Sequence, residues 1–287
     1  MRYAINPLQW SAGPDGMLDG SLSPARPELH ARVAASGFTA ICVNVPGEIG
    51  VNDYARELAD AGLTPAPGYF NFMTADTQGL AAAIERAKAM AAAHATLGLD
   101  VVYLADDGNE TRIAEPAEGS HFDQTRFETV VANIAAVAAA ITAEGLAPAF
   151  HQHIGTWVES EREIRGLLDA VGADILSLGP DTGHLTWAGI DPVAFVSEFR
   201  DRVVSVHLKD VHAEKLVGAR GSYFDRVKHG LLTEPGRGDV DNDAVLAALP
   251  QEFDGWVIIE VDQPDGLSAD ESARLSAEWV AKREVAA

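Results

Sequence analysis

Apolar and polar positions along this chain follow two rhythms. Short runs rich in Val, Ile, Leu and Ala alternate with longer stretches of helical pattern. The short runs cover residues 2–6, 39–44, 64–70, 100–105, 147–153, 175–179, 203–209 and 256–261, and they read as strands. Helical pattern covers residues 27–36, 52–61, 76–98, 123–144, 160–171, 191–200, 242–249 and 267–284. Gly37, Gly62 and Gly145 stand where three of these helices should stop. Ser160 and Glu163 have the spacing of a capping box, and Pro192 sits in the first turn of its helix. Residues 109–120 and 210–241 read as loops, the second the longest; the third strand is interrupted by proline.

Strands that alternate with helices pair in parallel. Eight such units in 287 residues predict an α/β fold, a single (β/α)8 TIM barrel forming one domain over residues 1–287. The rival, an open doubly wound sheet, needs a Gly-x-Gly-x-x-Gly turn after the first strand, and none stands there.

Composition narrows the partners. The chain is 47% hydrophobic and 22% charged, ordinary for a globular protein, with a formal net charge of -22. Such a charge repels phosphate backbones and anionic lipid, so no nucleic-acid partner is expected. It also argues against repair of abasic DNA. With one cysteine, Cys42, no disulfide forms within the chain, and a buried structural thiol is expected. Neither a signal-peptide pattern nor a run of about 18 apolar residues is seen, so the expectation is a cytoplasmic protein without a membrane partner.

The barrel reading directs attention to the C-terminal strand ends, where such folds carry their sites. His151 and His153 end the fifth strand with parity that turns both to one face. Asp181 follows the sixth strand, His207 and Lys209 share a face of the seventh, and Glu260 and Asp262 share one of the eighth. His151, Asp181, His207 and Glu260 can therefore converge from four successive strands. Mixed imidazole and carboxylate donors suit Mn2+, Co2+, Fe2+ or Zn2+ better than Ca2+. Open coordination positions would let adjacent substrate oxygens chelate the ion. Each residue also has a plainer reading. A strand-end histidine can be a structural hydrogen bonder, Asp181-Thr182-Gly183 an Asx turn, Lys209-Asp210 a surface pair, and Glu159 a helix-start acid.

Five stretches carry a resemblance beyond this pattern. They are His151-Gln152-His153-Ile154-Gly155-Thr156-Trp157-Val158-Glu159, Asp181-Thr182-Gly183-His184 with residues 188–192, and His207-Leu208-Lys209-Asp210-Val211. Residues 230–241, with Pro235-Gly236-Arg237-Gly238, and residues 255–260 complete the set, and Asn6-Pro7-Leu8-Gln9-Trp10 is similar too. Together they resemble the xylose isomerase-like TIM barrel superfamily of sugar isomerases and epimerases, and within it most of all the inosose dehydratases. The likeness runs over nearly the whole chain and is strongest from His151 onward.

The resemblance implies a metal held by Glu, Asp, His and Glu from strands five to eight. Asp181, His207 and Glu260 match the last three. Histidine stands where the first glutamate is usual, so His151 is the expected ligand, with Glu159 as its competitor. The ion implied is Mn2+ or Co2+ first, with Mg2+, Fe2+ or Zn2+ as further candidates. The implied chemistry, part of inositol and carbohydrate metabolism, is loss of water from a small polyhydroxy ketone through an enediolate. Glu260, with His151 or His153, is the expected proton-transfer group. Lys209 and His184 would position oxygens, and Arg237, Trp10 and Asp262 would contact substrate. Ketose isomerisation or epimerisation is the alternative reaction. A second alternative is cleavage of a carbon-linked glycoside with a small β-rich partner subunit; a third is a non-catalytic sugar-binding barrel. A homo-oligomer is expected.

Overall fold

The computed structural model describes residues 1–218 and 220–284. Its barrel strands are β1 (Arg2–Asn6), β2 (Ala40–Cys42), β3 (Thr64–Ala66 and Tyr69–Phe72), β4 (Val101–Asp106), β5 (Ala147–Phe150), β6 (Ser177–Leu178), β7 (Ser205–Leu208) and β8 (Trp256–Glu260). All of them pair in parallel, in two sheets. One sheet runs from the first half of β3 through β2, β1 and β8 to β7; the other from the second half of β3 through β4 and β5 to β6.

The sheets meet at two seams. At the first, β3 breaks at Pro67-Gly68, so its first half pairs with β2 and its second with β4. A side chain at position 68 would strike the Val43 carbonyl oxygen, 2.0 Å from where its Cβ would stand, which explains the glycine. The freed Gly68 amide donates to His94 Nε2 at 2.9 Å, while His94 Nδ1 lies 3.0 Å from the Met90 carbonyl. At the second seam, Val204 N donates to Leu178 O at 3.0 Å and His207 N to Pro180 O at 2.8 Å. The expected strand over 175–179 is only two residues long, because Ile175 and Leu176 turn back to bond the Gly172 carbonyl.

Strands buried on both faces call for continuous apolar runs, and β4 and β8 are buried throughout. Around the barrel the expected helices appear with small changes of boundary. The capping box at Ser160 and Glu163 forms, and Asp191 caps the helix that Pro192 begins. Of the described helices, Gln124–Ala143 is long and apolar enough to cross a membrane by length and composition, although the expectation is of no apolar run of about 18 residues. Here its Ile134, Val137 and Ile141 lie in the core.

The two expected loops contain structure of their own. Residues 109–120 include a short helix, Glu110–Ala114, capped by Asn109. The long loop carries an antiparallel pair, Asp210–Val211 with Leu232–Thr233, and the helix Tyr223–Lys228. Asp181-Thr182-Gly183 is not merely a turn: Asp181 caps a helix over Thr182–Trp187, accepting from His184 N at 2.8 Å.

Candidate metal and catalytic site

At the C-terminal strand ends a cleft of about 1160 Å³ opens, lined in part by Asn6, Tyr69, Asp106, His151, His153 and Glu260. Beside it, His151, Asp181, His184 and Glu260 each offer a ligand atom, all within 4.8 Å of one another. All four are buried. Burial normally obliges a polar atom to find a partner. Yet neither ring nitrogen of His151 has one, nor do Asp181 Oδ2, His184 Nδ1 or His207 Nδ1.

His207 stands against this group with its Nε2 3.6 Å from Glu260 Oε2 and 2.7 Å from the Tyr69 hydroxyl. Tyr69 donates to Glu260 Oε2 at 2.8 Å, and Asn6 Nδ2 donates to the same oxygen at 2.6 Å. The parallel register puts Asn6 directly beside Glu260 and His207 beside Ile258, so these side chains meet through strand pairing.

Lys209 is fully buried behind the cleft. Its Nζ donates to Glu260 Oε1 and Asp262 Oδ2 at 2.8 Å each, approaches His184 Nε2 at 3.2 Å and lies 3.6 Å from Asp181 Oδ2. Gly183 makes room for its stem: a Cβ there would stand 2.7 Å from Lys209 Cγ. One ammonium is thus shared among three carboxyl groups, those of Asp181, Glu260 and Asp262.

The electrostatics follow from burial and these contacts. Burial acts to raise the Glu260 carboxyl, but Lys209, His207 and His151 outweigh it and hold it well below the usual range. Asp181 is pushed up to about 7, chiefly by burial and against the pull of Lys209. Burial lowers His207 to about 4, and it drives His151 well down, helped by the neighbouring His207. These imidazoles are thus neutral, the state a metal ion needs.

His153 lies on the next turn of chain. Its Nδ1 is 2.6 Å from the Ile154 carbonyl, which can only accept, so Nδ1 carries the proton and Nε2 the lone pair. Burial and Lys209 lower its basicity.

Residues 30–283 match the xylose isomerase-like TIM barrel family. The chain belongs to that family. An inosose dehydratase of Lacticaseibacillus casei is 28% identical over 175 residues, 58% of this chain and 59% of that protein. The chain spans about half the length of the curated relatives it matches. Among solved structures, the IOLI protein with a binding zinc atom superposes with a TM-score of 0.71 at 17% identity, over 98% of this chain and 96% of that one. The probable 3-DHS dehydratase AsbF, involved in petrobactin synthesis in Bacillus anthracis, gives 0.68 at 15% identity, over 98% and 99%. At such identities the likeness is one of fold.

Within this family barrel, several expected site residues lie elsewhere. Glu159 does not fold back to the ligand group. Its oxygens accept from Arg112 Nη1 at 2.9 Å and from the Gly155, Ala117 and Gly119 amides at 2.8, 3.1 and 3.1 Å. Arg112 also holds Glu163, at 2.5 Å. Trp10 is buried outside the cleft lining, its indole donating to Asp270 Oδ1 at 2.8 Å. Arg237 pairs with Glu234 at 2.9 Å and likewise is not among the cleft-lining residues. Lys209-Asp210 is no surface pair: both are buried, and Asp210 accepts from the Gly236 and Val240 amides to shape the Pro-Gly-Arg-Gly loop. Asp262 lines the cleft and also accepts from Tyr223 at 3.3 Å.

Sequence reasoning missed Tyr69 and Arg112. Tyr69 is one aromatic in a strand that reads as core. Arg112 sits in a stretch read as loop, with partners 47 and 51 residues away. His184, expected to position substrate oxygens, also offers a ligand atom to the group with His151, Asp181 and Glu260.

Proposed function

We propose that the protein is a divalent-metal-dependent dehydratase acting on a cyclic polyhydroxy ketone of the inosose class. The observation that carries this is His151: two unpartnered ring nitrogens in a buried group with Asp181, His184 and Glu260. The donors fit a metal in number, in mixed nitrogen and oxygen character, and in charge. His207 belongs to the same shell through Glu260 and Tyr69. Mn2+ and Co2+ are the first ions to test, then Zn2+, Fe2+ and Mg2+. Bound there, such an ion would polarise adjacent oxygens of the substrate and stabilise negative charge developing on them.

The chain's own residues supply the rest. His153 Nε2 can take the proton beside the ketone. The imidazolium so formed can return it to the departing hydroxyl, so that one water leaves. Lys209 favours the ionised form of Glu260 and holds the carboxyl groups of Glu260 and Asp262 in place. The relatives named inosose dehydratase support the substrate class. An epimerase reading wants a second carboxylate for proton transfer, as the family resemblance implies. His151 occupies that strand end and the Glu159 oxygens are all engaged, which favours water loss.

The test is metal analysis of the purified protein, followed by mass spectrometry of a panel of inososes and ketoses. A product lighter by one water, formed only with metal, is expected. Turnover that survives complete metal stripping sinks the reading. Tight binding without turnover or metal would point to a sugar-binding barrel. Activity only on carbon-linked glycosides with a co-purified small chain would point to the glycoside-cleaving alternative.

A further inference from the structure

Tyr69 opens the second half of β3, directly after the Pro67-Gly68 break. Its ring stands edge-on to His151, centroids 5.0 Å apart, and lies 5.2 Å from both Tyr103 and His207. Its hydroxyl touches both His207 Nε2 and Glu260 Oε2, at 2.7 and 2.8 Å. A phenol has a single proton to give, and an ionised carboxylate can only accept. The proton on Tyr69 therefore goes to Glu260, and the bond to His207 must run the other way, from Nε2–H to the phenol oxygen. His207 is thereby held as its Nε2–H tautomer, with the lone pair on Nδ1, the atom left without a partner.

The same hydroxyl sorts the two oxygens of Glu260. Oε2 already accepts from Asn6 and Tyr69, whereas among the described residues Oε1 accepts from Lys209 alone and keeps a lone pair. We infer that Tyr69 is a positioning residue for the metal site: it commits Glu260 Oε2 and the His207 tautomer, leaving Glu260 Oε1 oriented for an ion before the ion arrives. This rests on the metal reading above but concerns affinity rather than reaction. Outer partners that orient ligands in this way typically contribute about 10–100-fold to metal affinity.

The test uses metal-depleted full-length protein titrated calorimetrically with Mn2+, and the visible spectrum of the Co2+ form. Tyr69→Phe should bind Mn2+ about 10–100-fold more weakly, at unchanged stoichiometry and with a shifted Co2+ spectrum. The thermal midpoint of its metal-free form should stay close to that of the parent. Tyr103→Phe is the control: its hydroxyl bonds Ser205 rather than Glu260 or His207, so its Mn2+ affinity should not change. Unchanged or tighter binding by Tyr69→Phe overturns the inference, as does equal weakening in both variants. If the parent protein binds no divalent ion, the metal reading falls and this inference with it. If the parent binds Mn2+ and Tyr69→Phe binds it as tightly, this inference falls alone.

Discussion

Among the described residues, the ionic clusters buried around Arg112 and around Lys209 are built from similar residues and are finished to different degrees. Around Arg112, every carboxylate oxygen of Glu159 and Glu163 is bonded, to the guanidinium, to backbone amides or to the Ser160 hydroxyl. Only Arg112 Nε lacks a partner. Around Lys209, the ammonium is equally well held, but His151, Asp181, His184 and His207 keep unpartnered buried atoms. A folded chain tolerates such atoms where something outside the chain completes them. Charge and burial alone would have ranked the two clusters together. Unfinished hydrogen bonding separates the one that ties loops from the one that awaits a ligand.

The largest effect expected tests the unfinished cluster. Glu260→Gln should lower kcat/KM by about 10⁴-fold, roughly 5.4 kcal/mol of transition-state stabilisation, while urea unfolding shifts by less than about 1 kcal/mol. A near-parental rate would remove Glu260 from the chemistry. The finished cluster should behave the opposite way. Arg112→Met strands two buried carboxylates and should lower unfolding free energy by about 3–5 kcal/mol. Little change in stability would show that this cluster, too, is incomplete.

A third buried polar group calibrates both. Burial holds His94 down to about 4, against an ordinary histidine value of 6.5. The unfolded chain then binds more protons than the folded one between these limits, so stability falls as pH drops through that window. The loss approaches 3 kcal/mol by about pH 4. Urea midpoints measured from pH 7 to 4.5 should fall less steeply in His94→Gln. The smallest effect returns to the unfinished cluster: Mn2+ at one hundred times its Kd should raise unfolding free energy by about 2.7 kcal/mol. The same addition to Glu260→Gln should raise it far less.

Much of this arrangement can be read from sequence because the barrel is periodic. Parity sets the face to which His207 and Glu260 point, His151 stands one residue beyond the end of β5, and the fold supplies their meeting. What resists reading depends on contacts between distant strands. Tyr69 joins Glu260 across 191 positions, and the break at Pro67-Gly68 hides its strand. Arg112 is a loop residue until Glu159 and Glu163 are packed over it. Trp10 and Arg237 sit in motifs of the right order, but their directions are set by local partners, Asp270 and Glu234, rather than by strand parity. Asp181 was legible as a turn former, yet its second oxygen, left free while the first caps a helix, is visible only in three dimensions.

The seam between β6 and β7 has a mechanical consequence. β6 is two residues long, and the junction beyond it is tied by backbone bonds at Val204 and His207. Across it the two strands are joined by isolated bridges, Leu178 with Val203 and Asp181 with His207. His151 and Asp181 stand on one side of that joint and Glu260 on the other, so an ion gripped by all three would act as a hoop around it. Opening fluctuations at the joint and residence of the ion would then be a single motion. Amide exchange at Val204 and His207, slowed by the ion more than at any other strand, would report how long the hoop stays fastened.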